Sequence, residues 1–323
     1  MVIKCQILLR PTHNNIYTSG QMVPGTLRYS IDQPTIFKSI TIFFTGKLKG
    51  KKTKEESRHL IKKEDLVFMH ENVLQERHVY LNTGEYEHAF IFQLPEELPS
   101  TYRSNLCTIS YKILVEFKRP GLFDSNRLVD IEIPVYGTVK PSLEHRTNFS
   151  LTKTPFLTKK NMHAEVKIEK VVFTAGDIIK LNFRINNETN FAINGIITKL
   201  MAVTTYKYDL KDKNVKRETI NQSVLESPGE ASKIEGELTC AVPTNLTNLY
   251  SIQHSKFFSR EYIVNVIVDL PFPHKNISLE IPVVIEAEID KLKIDVNCHY
   301  SIFNSISYLT YFLSRFPIAR VTY

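Results

Sequence analysis

The sequence predicts an all-β protein of two tandem antiparallel β-sandwich domains with a short C-terminal tail. Three observations predict it: one short signature occurs twice, apolar and polar residues alternate along many segments, and no long helical pattern interrupts either half. Antiparallel sheets keep one face in solvent, whereas parallel sheets are covered on both. Alternation at this density therefore favours antiparallel sheets stacked as sandwiches.

The duplication is visible at both ends of each half and in the order of the features between them. The opening signature reads Tyr17-x-x-Gly20-x-x-Val23 and then Phe173-x-x-Gly176-x-x-Ile179. The closing signature reads Ile131-Glu132-Ile133-Pro134-Val135 and then Leu279-Glu280-Ile281-Pro282-Val283. Between them, Leu94-Pro95 and the segment 109–117 correspond to Val242-Pro243 and the segment 262–270. Repeated features in one order indicate two similar domains.

The length of 323 residues permits two domains, each large enough to bury a core. We predict a first sandwich over 1–146, a linker over 147–160, a second sandwich over 161–287 and a tail over 288–323. The linker stretch shows little alternation. With 42% hydrophobic and 23% charged residues, the composition is that of a globular protein.

Strands are predicted wherever apolar residues occupy every second position of a segment. In the segment 109–117 the odd positions are apolar, and most of the even positions are polar or charged. The same pattern predicts strands over 40–48, 86–94, 179–185, 262–270 and 279–285. Glycines and prolines separate these segments at places where turns are needed.

The cysteines and the N-terminus bear on the cellular compartment. Cys5, Cys107, Cys240 and Cys298 occur singly without a CxxC pair, so neither a disulfide framework nor a zinc site is predicted. The N-terminus lacks the apolar core of a signal peptide, and no apolar stretch is long enough to span a bilayer. A cytoplasmic protein is expected.

Positive charge is concentrated in one short run. Of the formal net charge of +7, residues 47–63 carry +6, because eight basic residues there face only Glu55 and Glu56. The basic residues are Lys47, Lys49, Lys51, Lys52, Lys54, Arg58, Lys62 and Lys63. The run is predicted to be a loop between two strands of the first domain. A domain-wide basic surface is absent, so nucleic acid is not an expected partner.

Two interpretations of this basic run stay open. As a site, it would bind phosphorylated tails or anionic lipid head groups, since each Lys or Arg near an anionic membrane contributes on the order of 1 kcal/mol. As a solvated loop, its lysines would only keep the chain soluble.

The tail contains a second pattern with several interpretations. Ile302, Ile306, Leu309, Leu313 and Phe316 recur at spacings of three and four, which fits an amphipathic helix over 301–316. Packing on a sandwich, contact with the lipid interface, an extra strand and disorder are all compatible with this composition.

Catalytic devices are not found in the sequence. It has no Gly-x-Ser-x-Gly, Walker, Gly-x-Gly-x-x-Gly or His-Glu-x-x-His motif. We therefore expect neither an enzyme nor a cofactor or metal site.

The duplicated signatures resemble those of arrestin-like proteins, and among them the α-arrestins, also called arrestin-domain-containing proteins. The further residues that carry the resemblance are Gly25, the stretch Phe90-Ile91-Phe92-Gln93-Leu94-Pro95-x-x-Leu98-Pro99-Ser100-x-Tyr102, Ile109-Ser110-Tyr111, Asp177, Asn187, Ile193, Ile196 and Tyr262. The resemblance covers about residues 1–287. It implies two arrestin-type, immunoglobulin-like sandwiches joined by a short hinge.

The resemblance also implies a function. Such proteins are adaptors without catalysis that bind cytoplasmic parts of transmembrane cargo at plasma or endosomal membranes and direct endocytosis, sorting or ubiquitination. α-Arrestins usually recruit a ubiquitin ligase through Pro-Pro-x-Tyr motifs, but this sequence has no Pro-Pro dipeptide. A ligase partner would have to be reached by another route.

Two alternatives to the adaptor remain: a structural subunit of a sorting coat, as in retromer, and an enzyme on a β-sandwich scaffold. A possible cargo contact is an exposed edge strand that accepts a cargo segment as an added strand, with Lys4 and Arg10 flanking the first apolar run.

Overall fold

The computed structural model describes residues 2–12, 16–52, 60–74, 78–120, 127–140, 147–155, 159–189, 191–207, 213–229, 231–246 and 248–287. These residues form strands, turns and irregular segments, and none of them is helical. The all-β prediction is therefore confirmed. The predicted tail helix over 301–316 and Cys298 lie outside the described residues.

The first domain packs a three-stranded antiparallel sheet against a larger sheet. The small sheet has the order β1-β3-β8, with β1 at Ile3–Leu9, β3 at Met22–Ile31 and β8 at Gly84–Gln93. The large sheet has the order β11-β10-β5-β6, and β9 also pairs with β10. Its strands are β5 (Ser39–Lys52), β6 (Leu60–Leu74), β9 (Tyr102–Arg103), β10 (Cys107–Lys118) and β11 (Arg127–Ile133). Short strands complete the domain: β2 (Tyr17–Thr18) pairs with β12 (Val135–Tyr136), and β4 (Thr35–Phe37) with β7 (Val79–Leu81).

The second domain repeats this plan. One sheet has the order β13-β14-β16-β19 and the other β15-β21-β20-β17-β18. The strands are β13 (Asn148–Lys153), β14 (Met162–Ile168), β15 (Val172–Phe173), β16 (Ile178–Asn187), β17 (Ile193–Lys207), β18 (Lys213–Gly229), β19 (Lys233–Ala241), β20 (Phe258–Asp269) and β21 (Ile277–Ile285). Each strand predicted from alternation overlaps one of the strands β5, β8, β10, β16, β20 or β21. The predicted ends at Leu94 and Leu270 lie one residue beyond β8 and β20.

The repeated signatures make the same local structure in both domains. Gly20 and Gly176 have φ of 77° and 92°, a region that favours glycine. The N–H of Leu94 donates to Gln21 O at 3.0 Å in the first copy. In the second copy the N–H of Val242 donates to Asp177 O at 2.9 Å. The duplicated Leu/Val-Pro turn is thus tied to the duplicated glycine turn.

One predicted boundary differs from the structure. The stretch 147–160, predicted as a linker, contains β13, which pairs along its whole length with β14 from Asn148↔Lys167 to Lys153↔Met162. Four of its six side chains are exposed and none is buried, because β13 is an outer strand. Such a strand lacks the alternation that would have predicted it.

Two apolar cores fill the sandwiches. In the first domain the inward positions of β10 are buried, among them Tyr111, Ile113 and Val115 at 0% exposure. The second core contains Ile179, Leu181 and Val264 at 0% exposure. The first core also takes in Tyr206, Tyr250, Ile252 and Phe258 from the second domain, so the domains share a buried contact.

Candidate functional site

The described residues of the basic run, 47–52 and 60–63, lie on the paired strands β5 and β6, which corrects the prediction of a loop for this part of the run. Lys47, Lys49 and Lys51 lie on β5, while Lys62 and Lys63 lie on β6, with Lys49 directly opposite Lys63. The many lysines in these strands are typical of a loop. A sheet with one solvated face, however, requires apolar residues only at the inward positions of its strands. Lys54, Arg58 and the side chain of Lys52 lie outside the described residues.

The two faces of the hairpin carry different groups. On β5, Leu48 is 1% exposed and points inward, so Lys47, Lys49 and Lys51 share the outward face. Lys63 pairs with Lys49 and joins them there. The hairpin therefore presents a lysine cluster, Lys47, Lys49, Lys51 and Lys63, on the outward face of the large sheet.

Lys47 is partly buried and lies near one acid and three other lysines. The pKa of Lys47 is lowered by partial burial, and Lys49, Lys63 and Lys112 lower it further. Asp65, its partner across the strands, opposes this shift. Because positive groups disfavour one another here, a bound anion would relieve their repulsion. This geometry suits an anion site.

Lys62 belongs to a different environment, the contact between the domains. Its Nζ lies 5.5 Å from the ring centroid of Phe257. On the same side of β6, Glu64 accepts hydrogen bonds from Ser255 Oγ at 2.7 Å and from the N–H of Lys256 at 3.1 Å. The structure thus separates Lys62 from the lysine cluster.

Aromatic side chains complete the contact between the domains. Tyr102 packs on Phe258 with ring centroids 4.9 Å apart, and Tyr136 meets Tyr250 edge-on at 5.5 Å. The hydroxyl of Tyr250 donates to Thr101 O. Burial is the largest cause that raises the pKa of Tyr250. No local sequence pattern predicts this cluster, because its tyrosines are far apart in the chain.

The second proposed contact, β1, lies at an edge of the small sheet. Arg10 N–H donates to Pro24 O at 3.1 Å. In an antiparallel ladder the bonded positions alternate, so the backbone groups of Ile3, Ile7 and Leu9 point away from β3. In the described part of the chain no strand pairs with that outer edge. Lys4 and Arg10 are both exposed and on the same outward parity, about 20 Å apart along the strand.

In the second domain the equivalent strand edge is paired with a further strand. β14 occupies there the place that β1 has in the first domain, next to β16 and then β19. Its outer edge is covered by β13. The outward face of this sheet also pairs its own charges, as in Arg184–Glu235 at 3.2 Å and Lys233–Glu235 at 3.2 Å. The open edge and the lysine cluster are both features of the first domain.

Two features are absent from the part of the chain that the structure describes. No helix there is long and apolar enough to cross a bilayer. Nor do three or more His, Cys, Asp or Glu side chains converge in a way that would hold a metal ion within that part of the chain.

The duplicated antiparallel sandwiches define a protein of two tandem β-sandwich domains. Comparison with protein families agrees: the arrestin (or S-antigen) N-terminal domain matches residues 5–135 and the arrestin C-terminal domain matches residues 158–288. The chain is 23% identical over 270 residues to "Arrestin domain-containing protein B" of Dictyostelium discoideum. That alignment covers 79% of this chain but 42% of the relative, so the chain spans less than half of that protein's length.

The chain therefore belongs to the arrestin-like proteins of the α-arrestin, or arrestin-domain-containing, family. The predicted resemblance is confirmed. Family membership points to an adaptor rather than an enzyme.

Proposed function

We propose that this chain is an adaptor that binds the cytoplasmic part of a transmembrane cargo protein and directs its endocytosis, sorting or ubiquitination without catalysis. The supporting observation is the difference between the two domains at equivalent edges. The outer edge of β14 is covered by β13, whereas no strand among the described residues pairs with the outer edge of β1. The pairing of β13 with β14 supports the proposal, because a cargo segment could pair with the outer edge of β1 in the same way.

An added strand would satisfy the backbone groups of β1 that face away from β3. Main-chain hydrogen bonds would supply affinity, and side chains on alternate positions would supply selectivity. Lys4 and Arg10 flank this edge on its outward face and favour cargo segments with acidic residues at both ends. Cargo recognition would then depend on charge more than on a buried pocket.

The lysine cluster gives the adaptor a second contact. Lys47, Lys49, Lys51 and Lys63 would bind an anionic group, either a phosphate on a cargo tail or a lipid head group at the plasma or endosomal membrane. This contact would hold the adaptor at the cytoplasmic surface of the membrane. A ubiquitin ligase would be a further partner of the adaptor, and the 323 residues contain no Pro-Pro dipeptide of the kind that a Pro-Pro-x-Tyr motif requires.

The adaptor function is tested by recovering cargo from membranes with charge-reversed protein. Tagged protein should retain transmembrane proteins from mildly solubilised membranes, and the double variant K4E/R10E should retain several-fold less of them. K180E, on the exposed face of β16, is the matched control and should behave as wild type. Recovery of no transmembrane protein, or equal recovery by K4E/R10E, would contradict the proposal.

A further inference from the structure

An aromatic cluster lies on the same outward face as the lysine cluster. Phe43 of β5 and Phe68 of β6 have ring centroids 5.6 Å apart. His70 lies 6.3 Å from each of them. Phe68 is 55% exposed, so much of this apolar surface is in contact with solvent. We call Phe43, Phe68 and His70 the aromatic cluster.

Phe43 is an apolar residue at an outward position of the sheet, where polar residues are usual. The neighbours of Phe43, Ile42 and Phe44, are both 0% exposed and point into the core. Phe43 is therefore on the outward side, where Thr45 and Lys47 follow it. The core does not require an aromatic residue at this position. Leu114 of β10 lies directly opposite Phe43 and adds to the apolar part of this face. A contiguous apolar surface in contact with solvent indicates a contact with another molecule.

The aromatic and lysine clusters are adjacent along the strands. Lys47 is four residues from Phe43, or about 13 Å on an extended strand. Asp65 lies directly opposite Lys47 and opposes the lowering of its pKa, while Lys49 and Lys63 act in the other direction. Lys112, beside the aromatic cluster, is already held by Asp130 at 2.6 Å. The face is thus positive at one end and apolar at the other.

We infer that this face binds an extended, acidic peptide segment that carries an aromatic or aliphatic residue about four residues from its acidic group. The positive end would bind carboxylates or phosphates, and Phe43, Phe68 and His70 would contact the apolar residue. This inference rests on the proposed adaptor function, because it describes the chemistry of a partner segment.

The position of β6 favours a peptide over a membrane as the occupant. β6 is the last strand of its sheet, and in the described residues no further strand pairs with its outer edge. An extended segment can lie along this edge with its side chains over the face. Phe68 stands within a strand opposite Thr45, not on a protruding loop or an amphipathic helix that would enter a bilayer interface.

The inference is tested with a synthetic peptide and single-site variants of the full chain. The probe is a fluorescein-labelled peptide of about 12 residues with three glutamates and a phenylalanine four residues from the nearest of them. Fluorescence anisotropy should show saturable binding. F68S should weaken it by about tenfold, and K49S/K63S by a similar factor with a smaller dependence on salt. I91S, another exposed apolar residue at 60% exposure, should bind as wild type.

A variant with the opposite effect strengthens the test. Asp65→Asn removes the acid that opposes an anionic ligand and should tighten binding of the glutamate peptide by a few-fold. A phosphoserine version and a serine version of the peptide distinguish phosphate from carboxylate recognition. The serine version, which lacks the acids, should bind far more weakly than either.

Three results would overturn the inference: no binding by the wild-type chain, equal binding by F68S, or equal binding of a peptide in which the phenylalanine adjoins the glutamates. Loss of binding to phosphatidylserine vesicles in F68S, without any peptide binding, would assign the face to a membrane instead. None of these results involves the β1 edge. Cargo recovery and its loss in K4E/R10E would then still stand.

Discussion

At some positions of this chain, close contacts between neighbouring strands limit which amino acid can be accommodated. These contacts cannot be predicted from the sequence alone. Gly25 belongs to the opening signature, where a glycine suggests a turn, yet it lies inside β3. A Cβ at Gly25 would come within 2.3 Å of Cζ of Phe90. Phe90 is 2% exposed and its ring packs on Phe92 at 5.6 Å, so it has little room to move. The glycine is needed for packing across the sheet.

Gly25→Ala should therefore destabilise the fold by about 1–3 kcal/mol, the usual cost of overpacking a core. Gly50→Ala is the matched control, because a Cβ there would meet only ordinary contacts at 4.0 Å. Urea denaturation of both variants measures the difference. Equal midpoints for the two variants would show that the Phe90 ring yields without cost.

Among elements, the strands with one buried parity were predictable, whereas the outer strand β13 was not. β10 alternates cleanly because one face covers the core, whereas β13 has no buried position. The sequence predicts a loop for part of the basic hairpin for a different reason, because its outward lysines obscure the buried positions of Leu48 and Gly50. The outward parity of Phe43 could have been found from alternation, but its contact with Phe68 depends on the register of β5 and β6. Sequence periodicity reports burial, not which strands become neighbours.

Glu64 and Asp65 are consecutive in β6, so their side chains point to opposite faces of the sheet. Variants of these two residues test which face is inward. Glu64→Ala should cost about 1–3 kcal/mol of stability, because the Ser255 hydroxyl and the Lys256 N–H lose their acceptor. Asp65→Asn, on the outward face, should change stability by less than about 0.5 kcal/mol. Thermal unfolding of the two variants is the measurement. A larger loss in the Asp65 variant would reverse the assignment of the faces.

For the whole molecule, the contact between the domains makes a single platform of two sandwiches. Tyr250 and Phe258 of the second domain are 5% and 1% exposed and belong to the first core. Because these side chains of the second domain are buried in the core of the first, the stability of each domain depends on the other. The duplicated order of signatures predicted two domains, but the shared aromatic contact arises from chain segments about 150 residues apart and has no local pattern.

We accordingly expect one cooperative transition in scanning calorimetry of the wild-type chain. Tyr250→Ser removes the ring that meets Tyr136 and should separate the unfolding of the domains into two transitions. Tyr80→Ser, at a site 59% exposed, should keep the single transition. Two transitions in the wild type would show that the contact is too weak to couple the domains.

The role of the chain as a docking platform is tested most directly by amide hydrogen exchange with and without a peptide from the cytoplasmic part of a recovered cargo protein. The N–H groups of Ile3, Ile7 and Leu9 point toward the open edge of β1, so bound peptide should slow their exchange at least tenfold. Residues of β14, whose edge is already covered by β13, should exchange as before. Unchanged exchange along β1 at saturating peptide would contradict docking at this edge.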